Sequence, residues 1–342
     1  MKRIERVKAA LKSQEVDKVP LSAWMHLSEF DQDPISLAKA SIAYNEKYDF
    51  DFIKMMPFGA YSVQDYGAEI TVYCDKYKEP IIAEPGIQEI ADYTRLEVLP
   101  AYYGTYGKTL QFARELAKRV DKDTPFVQTI FSPFSTLKKL AGNRLLEDIK
   151  TNPKEVHQAL EVITETTKNF IKANIELGVH GFFLATQNAT SEVLSMEEFE
   201  VFGVPYDKKI IETYKDKTYF NVIHIHGSGE IYFEKIANEY DVNCINWHDR
   251  TTAPSLKEAR AITDKCLLGG IKEAPYFEGK VLRYASFLAD HSADDIIKHV
   301  KEAVDQVDGR GLMVGPGCVV DPKTSEESIL ALRKAVDQLG AY

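Results

Sequence analysis

The sequence predicts a single α/β domain over residues 1–342, built as a (β/α)8 TIM barrel with an N-terminal helical extension. Eight short segments alternate with longer amphipathic ones, and the short segments are apolar nearly throughout, as in a parallel sheet covered on both faces. No G-x-G-x-x-G or G-x-x-x-x-G-K-[ST] motif occurs, which disfavours the competing doubly wound open sheet. A barrel also accommodates 342 residues with 44% hydrophobic content in one domain.

The elements follow in order from these patterns. Ile4, Val7, Ala10 and Leu11 lie on one face of an N-terminal amphipathic helix. The eight predicted strands are residues 19–25, 51–56, 125–131, 181–186, 221–226, 242–247, 266–271 and 312–318.

Several helices between these strands carry start signals. Asn152 followed by Pro153 predicts a cap and first-turn pair, and Gly178 predicts the end of the same helix. Three further starts show capping-box spacing, in which a hydroxyl residue precedes an acidic residue by three positions: Ser195 with Glu198, Ser292 with Asp295, and Thr324 with Glu327.

Composition excludes several classes of partner. The formal charge is −10 and the basic residues are scattered, which argues against nucleic acid or an anionic membrane surface. No stretch approaches the roughly 20 apolar residues of a membrane span, and the basic N-terminus lacks the apolar core of a signal peptide. We therefore expect a cytoplasmic protein in which all four cysteines are reduced thiols.

The chemistry of a parallel barrel lies where strands end and βα loops begin. Polar and aromatic side chains that could act in a site follow five of the predicted strands. In chain order they are Trp24 and His26, Gln187 and Asn188, His224 and His226, Trp247 and His248 with Asp249, and Cys318.

His224 and His226 are two residues apart, so their side chains point to the same face of a strand. With a cysteine from another strand they would supply two imidazole nitrogens and one sulfur, the kind of donor set that holds a catalytic zinc with one open position. The pair alone is equally compatible with histidines that line a core. Cys318 alone is more typical of a small packing residue.

The "HIHG" at 224–227 and the "GPGC" and following helix at 315–336 resemble two motifs of the uroporphyrinogen decarboxylase superfamily, specifically its zinc-dependent corrinoid methyltransferase branch. In that branch one strand ends in His-x-Cys-Gly and the last strand in Gly-Cys. The resemblance extends over further segments of the chain: residues 6–24, 48–57, 131–142, 176–189 and 195–210.

The resemblance implies a TIM barrel and a choice between two chemistries. The metal-free decarboxylases carry an arginine-rich segment that binds the carboxylates of their substrate, whereas residues 20–34 here contain no arginine or lysine. They also have Gly-His-Gly where this chain has Gly317, Cys318 and Val319. Both differences favour the methyltransferases, which bind zinc and pass a methyl group between a small molecule and a corrinoid protein.

Carried over to this chain, the resemblance gives His224, His226 and Cys318 as zinc ligands, with histidine at 226 where the family has cysteine. A site with one thiolate instead of two is net positive, and a more positive zinc is a stronger Lewis acid. The sequence therefore predicts methyl transfer from an oxygen- or nitrogen-linked donor to cob(I)alamin on a partner protein, although a thiol acceptor stays open.

The remaining candidates receive supporting roles. His26 and His248 are candidate catalytic proton donors, Trp24 and Trp247 would suit an aromatic or cationic donor, and Gln187 and Asn188 would orient substrate. Each could instead be structural. A metal-free carboxy-lyase acting on a porphyrinogen or a smaller carboxylate, and a catalytically silent binding protein, are the alternative functions. A homodimer also stays open.

Overall fold

A computed structural model describes residues 1–272, 276–278, 281–283 and 286–342. In chain order, the described strands are β1 (Ile53–Lys54), β2 (Glu69–Thr71), β3 (Ile81–Glu84), β4 (Phe126–Phe131), β5 (Gly181–Thr186), β6 (Val222–Ile225), β7 (Cys244–Trp247), β8 (Cys266–Ile271), β9 (Tyr276–Glu278), β10 (Val281–Arg283) and β11 (Leu312–Pro316).

The helices alternate with these strands. In the described residues they are α1 (Arg3–Ala10), α2 (Pro34–Lys47), α3 (Tyr61–Gln64), α4 (Ile90–Arg95), α5 (Gly104–Arg119), α6 (Pro133–Ala141), α7 (Leu145–Thr151), α8 (Pro153–Glu176), α9 (Met196–Phe202), α10 (Val204–Tyr214), α11 (Phe233–Glu239), α12 (Leu256–Ile262), α13 (Phe287–Asp290), α14 (Ala293–Asp305) and α15 (Glu326–Leu339), with a short 3-10 turn at Gly142–Arg144.

Seven strands form one parallel sheet in the order β1, β4, β5, β6, β7, β8 and β11. The first predicted strand, residues 19–25, closes this sheet into a barrel as extended chain with a single bridge between Leu21 and Val314. The amide of Val314 donates to Pro20 (2.8 Å), that of Ser22 to Val314 (3.0 Å), and that of Asp51 to Leu21 (2.8 Å). The predicted (β/α)8 architecture is confirmed, and the first segment is less regular because Pro20 has no amide proton to donate.

Two hairpins lie outside the barrel and were not predicted. β2 pairs with β3, and β9 with β10, both antiparallel. The side chains of β2 and β3 are mostly exposed, so these strands lack the apolar runs from which the barrel strands were predicted.

The barrel has an inner and an outer apolar layer. Inward-facing side chains of the strands, among them Val127, Val222, Cys266 and Met313, form one buried cluster that also includes Val7 of α1. The outward-facing side chains pack with the surrounding helices in a larger cluster. Because Ile4 at the start of α1 donates to Asp123, which precedes β4, α1 closes the amino-terminal end of the barrel, opposite the predicted site.

Most of the helix starts that the sequence predicts are found in the structure. The helix predicted from Pro153 begins there, although Asn152 makes no side-chain cap, and Gly178 follows its end with φ +85°. Ser195 and Glu198 form the predicted capping box, and Ser292 accepts from the amide of Asp295.

The cap predicted at Thr324 is wrong by one residue. Ser325 caps α15 and accepts a hydrogen bond from the amide of Ser328. The Thr324 hydroxyl lies instead 3.4 Å from that of Ser286. Within the described residues, no helix combines the length and apolar character that crossing a membrane requires.

Candidate metal centre at the carboxyl ends of the barrel strands

Four side chains that bind metals in proteins converge at the carboxyl-terminal end of the barrel. They are His224 on β6, His226 just after β6, His248 just after β7, and Cys318 two residues after β11. One ligand atom from each lies within 4.8 Å of all the others. The structure thus brings together the three ligands predicted from the resemblance and adds His248, to which the sequence had assigned a proton-transfer role.

The spacing of these atoms suits a tetrahedral metal ion. His226 Nδ1 lies 3.3 Å from His248 Nε2 and 3.8 Å from Cys318 Sγ. Around a tetrahedral zinc with Zn–N of about 2.0–2.1 Å and Zn–S of about 2.3 Å, neighbouring donor atoms are roughly 3.3–3.6 Å apart. The distance from His226 to His248 falls in this range and that from His226 to Cys318 is slightly longer. Three imidazoles and one thiol are also a donor set that suits zinc.

A hydrogen bond fixes the tautomer of His224. The Asn246 amide nitrogen donates to the carbonyl oxygens of Leu268 (2.7 Å) and Pro316 (3.1 Å), so its Oδ1 must accept from His224 Nδ1, 2.7 Å away. Nδ1 therefore carries the proton, and Nε2 presents its lone pair to the cluster. An outer amide that orients a ligand histidine in this way is typical of metal sites.

The environment of His224 and His226 keeps both imidazoles neutral. Burial, together with the neighbouring His226 and His248, lowers the pKa of His224 well below its usual value. Burial and His248 lower the pKa of His226 to about 4. Because neutral imidazole is the form that binds metals, His224 and His226 are in the metal-binding protonation state at neutral pH.

His26 lies at the barrel mouth but outside the four-residue cluster. Its Nε2 is 3.4 Å from Glu79 Oε2, and it lines a cavity of about 290 Å³ together with Lys76, Tyr77 and residues 319–323. Burial, with Lys54 and Lys139 nearby, lowers the pKa of His26 to about 3. A group with this pKa is neutral at pH 7 and is a poor general acid there, so its predicted role as a proton donor gains no support.

The two tryptophans do not reach the cluster. Trp247 faces outward from β7, is fully buried, packs on Phe233 and donates from Nε1 to the Pro254 carbonyl (2.8 Å). Trp24 faces inward but is 3% exposed and packs edge-on against Phe183 in the inner layer. Both rings are occupied in packing the barrel, and a substrate-binding role for Trp24 and Trp247 stays a prediction.

Gln187 and Asn188 follow β5 as predicted but differ in exposure. Asn188 is buried, and its Oδ1 accepts from the hydroxyls of Ser132, Ser135 and Thr186, all at 3.0 Å. Its Oδ1 therefore joins the ends of β4 and β5, whereas its Nδ2 has no hydrogen-bond partner among the described residues, and its substrate-binding role stays a prediction. Gln187 is partly exposed, and its backbone amide donates to Ser135.

Sequence reasoning missed Asn246, Lys54 and Lys139. Asn246 could have been found by alternation, since it lies two residues before His248 on the same strand face. Lys54 could have been found as the one charged residue within "FIKMM", an otherwise apolar strand. Lys139 lies on α6, and a lysine within a helix does not by itself indicate a buried or functional position.

The barrel and its four-donor cluster at the carboxyl-terminal strand ends define a TIM-barrel enzyme with a candidate metal centre. The family model described as uroporphyrinogen decarboxylase (URO-D) matches residues 2–339, so the chain belongs to this family, as its motifs predicted.

Known methyltransferases are among its relatives. A methylcobamide:CoM methyltransferase of Methanosarcina acetivorans is 22% identical over 342 residues, covering 95% of this chain and 94% of the relative. A methylated-thiol–coenzyme M methyltransferase of Methanosarcina mazei is 26% identical over 154 residues, or 45% of this chain and 41% of the relative. A solved methyltransferase from Methanosarcina mazei has a TM-score of 0.83 at 20% identity over 99% of both chains, which shows a shared fold.

Proposed function

We propose that this protein is a zinc-dependent methyltransferase that moves a methyl group between a small molecule and a corrinoid carried by a partner protein. The observation that carries the proposal is the cluster of His224, His226, His248 and Cys318 at the barrel mouth. The corrinoid partner and the transferred methyl group are inferred from the names of the related methyltransferases. A cytoplasmic location, where Cys318 stays reduced, belongs to the same proposal.

The residues would divide the work as follows. His224 Nε2, oriented by Asn246, would hold the ion together with His226 and Cys318, and His248 offers a fourth donor atom. A bound zinc would supply Lewis acidity to the heteroatom that carries or receives the methyl group. With Cys318 as the single thiolate ligand, a bound zinc would keep a net positive charge, which would favour polarising an oxygen or nitrogen leaving group.

In the direction we propose, the bond between the methyl carbon and the donor heteroatom breaks, and the heteroatom keeps the bonding electrons and takes a proton. Cob(I)alamin supplies the electron pair of the new cobalt–carbon bond. Lys54 and Lys139 lie at the same end of the barrel, and burial lowers the pKa of each to about 7. Their positive charge disfavours a cationic donor such as a quaternary amine below pH 7 and declines above it.

The test is to mix zinc-loaded protein and reduced cobalamin with methoxylated aromatics, methylated amines and quaternary amines, and to follow methylcobalamin by its absorption spectrum. Methylcobalamin formation with an oxygen- or nitrogen-methyl donor supports the proposed direction. Activity only between methylcobalamin and a thiol would still support a methyltransferase, but with methyl transfer from the corrinoid to the small molecule.

Metal analysis provides a second, independent check. We expect one zinc per chain in the wild-type protein and its loss in Cys318→Ala. The matched control is Cys74→Ala, since Cys74 is exposed and not part of the cluster. A protein that is active without metal would refute the proposal and favour the carboxy-lyase alternative.

A further inference from the structure

The chain that follows His226 is a short loop between two fixed points. At the first point, the amide of His226 donates to the Thr186 carbonyl (2.9 Å) and continues the pairing of β5 with β6. At the second point, Ile231 is 8% exposed and returns the chain to the core. Residues 227–230 connect the two points, and the last three of them are exposed. The backbone that leaves this proposed metal ligand therefore gains little support from the core.

Two glycines give the 227–230 loop little stiffness of its own. Gly227 and Gly229 have φ values of +144° and +68°, a conformation that favours glycine. A Cβ at Gly227 would lie 3.0 Å from Thr190 Cγ2, and one at Gly229 would lie 3.3 Å from Glu192 Oε1. The loop thus lies directly against the residues that follow β5, and its conformation depends on the contacts that it makes there.

Ser228 makes most of these contacts. Its hydroxyl lies 2.9 and 3.0 Å from the two carboxylate oxygens of Glu192, to which it donates, and its amide donates to the same carboxylate at 3.3 Å. Its carbonyl accepts from the Thr190 hydroxyl at 3.0 Å. All three polar groups of one exposed serine are therefore bonded to the segment after β5. We call the contact between the Glu192 carboxylate and Ser228 the Glu192–Ser228 latch.

Backbone pairing holds only the far end of the loop. The amide of Ser191 donates to the Glu230 carbonyl (2.9 Å), and Thr190 forms an antiparallel bridge with Ile231. Among the described residues, the side chains that bond to residues 227–229 are those of Thr190 and Glu192 alone. The half of the loop next to His226 is thus held by these two side chains.

The position of His226 Nδ1 is sensitive to this backbone. It is Nδ1 that lies 3.3 Å from His248 Nε2 and 3.8 Å from Cys318 Sγ. Because Nδ1 is bonded to Cγ, it lies closer to the main chain than Nε2 does, and a shift of the backbone moves it almost equally. A change in the loop after His226 would therefore move a donor atom of the four-residue cluster.

We propose that Glu192 is a positioning residue for His226, which it keeps in the four-residue cluster by holding the 227–230 loop through the Glu192–Ser228 latch. This inference rests on the metal-binding part of the proposed function and adds a residue that does not itself contact the ion. When the latch opens, His226 can leave the ion while His224 and Cys318 still hold it. Glu192 would thus govern how fast a bound metal is released.

The first experiment measures how fast zinc-loaded protein gives up its metal to an excess of the chelator 4-(2-pyridylazo)resorcinol. We expect Glu192→Ala to release zinc about 3–10-fold faster than wild type, the range that the net strength of one hydrogen bond gives. Glu192→Gln keeps an acceptor oxygen and should stay close to wild type. Release from Glu192→Ala at the wild-type rate would overturn the inference.

Asp33→Ala is the matched control. Asp33 also accepts from the amide and the hydroxyl of one serine, Ser36, but its segment carries none of the four cluster residues. Zinc release from this variant should match wild type. An acceleration equal to that in Glu192→Ala would show a general loss of stability and would overturn the positioning role.

A double variant tests whether Glu192 acts through His226. In a His226→Ala background the ligand is already absent, so adding Glu192→Ala should not change the rate of zinc release further. An additional acceleration would mean that Glu192 acts on another part of the site, contrary to the inference. If His226→Ala holds too little zinc for a rate, the metal-free measurement decides the question.

That measurement is amide hydrogen exchange, followed by mass spectrometry of peptides that cover residues 226–232 in the metal-free protein. We expect faster exchange there in Glu192→Ala than in wild type, with peptides from β7 unchanged. Unchanged exchange in residues 226–232 would refute the latch. Zinc binding without methyl transfer would refute the proposed function and leave this inference standing. Methyl transfer together with zinc release that does not depend on Glu192 would refute this inference alone.

Discussion

Asn246 accepts a hydrogen bond from His224 Nδ1 at 2.7 Å while its own amide nitrogen donates to two backbone carbonyls. These donations fix the orientation of the amide, so the metal-binding face of His224 is set by β8 and by the end of β11. The lone pair of a proposed ligand is thus directed by residues that do not themselves contact the ion.

We predict that Asn246→Ala weakens zinc binding about 10–100-fold, because the variant frees the ring and tautomer of His224. Competition with a chromogenic chelator measures the affinity. Asn221→Ala is the matched control, since Asn221 is equally buried but lies before β6, far from the cluster. An equal loss of zinc affinity in both variants would show that the effect comes from general destabilisation of the fold.

We predict that His226→Cys still binds zinc and reduces transfer from oxygen- or nitrogen-methyl donors by ~10-fold or more. The added thiolate removes the net positive charge of the centre and so weakens its Lewis acidity. Zinc content and methylcobalamin formation are measured together on the same preparation. Unchanged donor activity with full zinc occupancy would show that this charge does not set the reaction.

Asp207 gives stability a pH dependence. It is fully buried, it accepts a hydrogen bond from the Tyr240 hydroxyl (2.9 Å), and burial raises its pKa from 3.8 to about 7. Between these two values the folded state holds the proton that the unfolded chain has lost, so this contribution to stability falls as the pH rises.

Relative to wild type, Asp207→Asn should therefore gain about 2 kcal/mol of unfolding free energy between pH 5 and pH 8. Urea unfolding at both pH values gives the difference. The exposed Asp216→Asn serves as the control. A difference between Asp207→Asn and wild type that does not change with pH would contradict the assigned cause.

Trp247→Phe tests the placement of that ring outside the site. The variant loses the hydrogen bond to Pro254 and some packing on Phe233, and we expect the unfolding free energy to fall by about 1–3 kcal/mol. Because the ring faces outward from β7, KM for any methyl donor or acceptor should not change. A raised KM at unchanged stability would show that Trp247 contributes to substrate binding.

The barrel was predictable because its strands are continuous apolar runs, a pattern that two-sided burial imposes on the sequence. The hairpin of β2 and β3 was not, because its exposed side chains follow no such constraint. The pair His224 and His226 was predictable from its spacing, but pairing it with Cys318 required the family resemblance.

Strand alternation explains why Trp247 lies outside the four-residue cluster while His248 lies within it. Trp247 and His248 are adjacent in sequence, and both were placed at the site because they end the same strand. Successive residues of a strand face opposite sides of the sheet, so only one of them could point inward with Asn246. Lys54 and Lys139 escaped notice for a different reason, since the burial of a single lysine depends on tertiary neighbours that local sequence does not reveal.

The closure of the amino-terminal end of the barrel by α1 has a kinetic consequence. With Val7 packed into the inner layer, the described part of the chain leaves the carboxyl-terminal mouth as the route to the four-residue cluster. A small molecule and a protein-bound corrinoid would then share one entrance. The proposed reaction should accordingly follow an ordered mechanism, in which the small molecule enters first and its product leaves only after the corrinoid protein has dissociated.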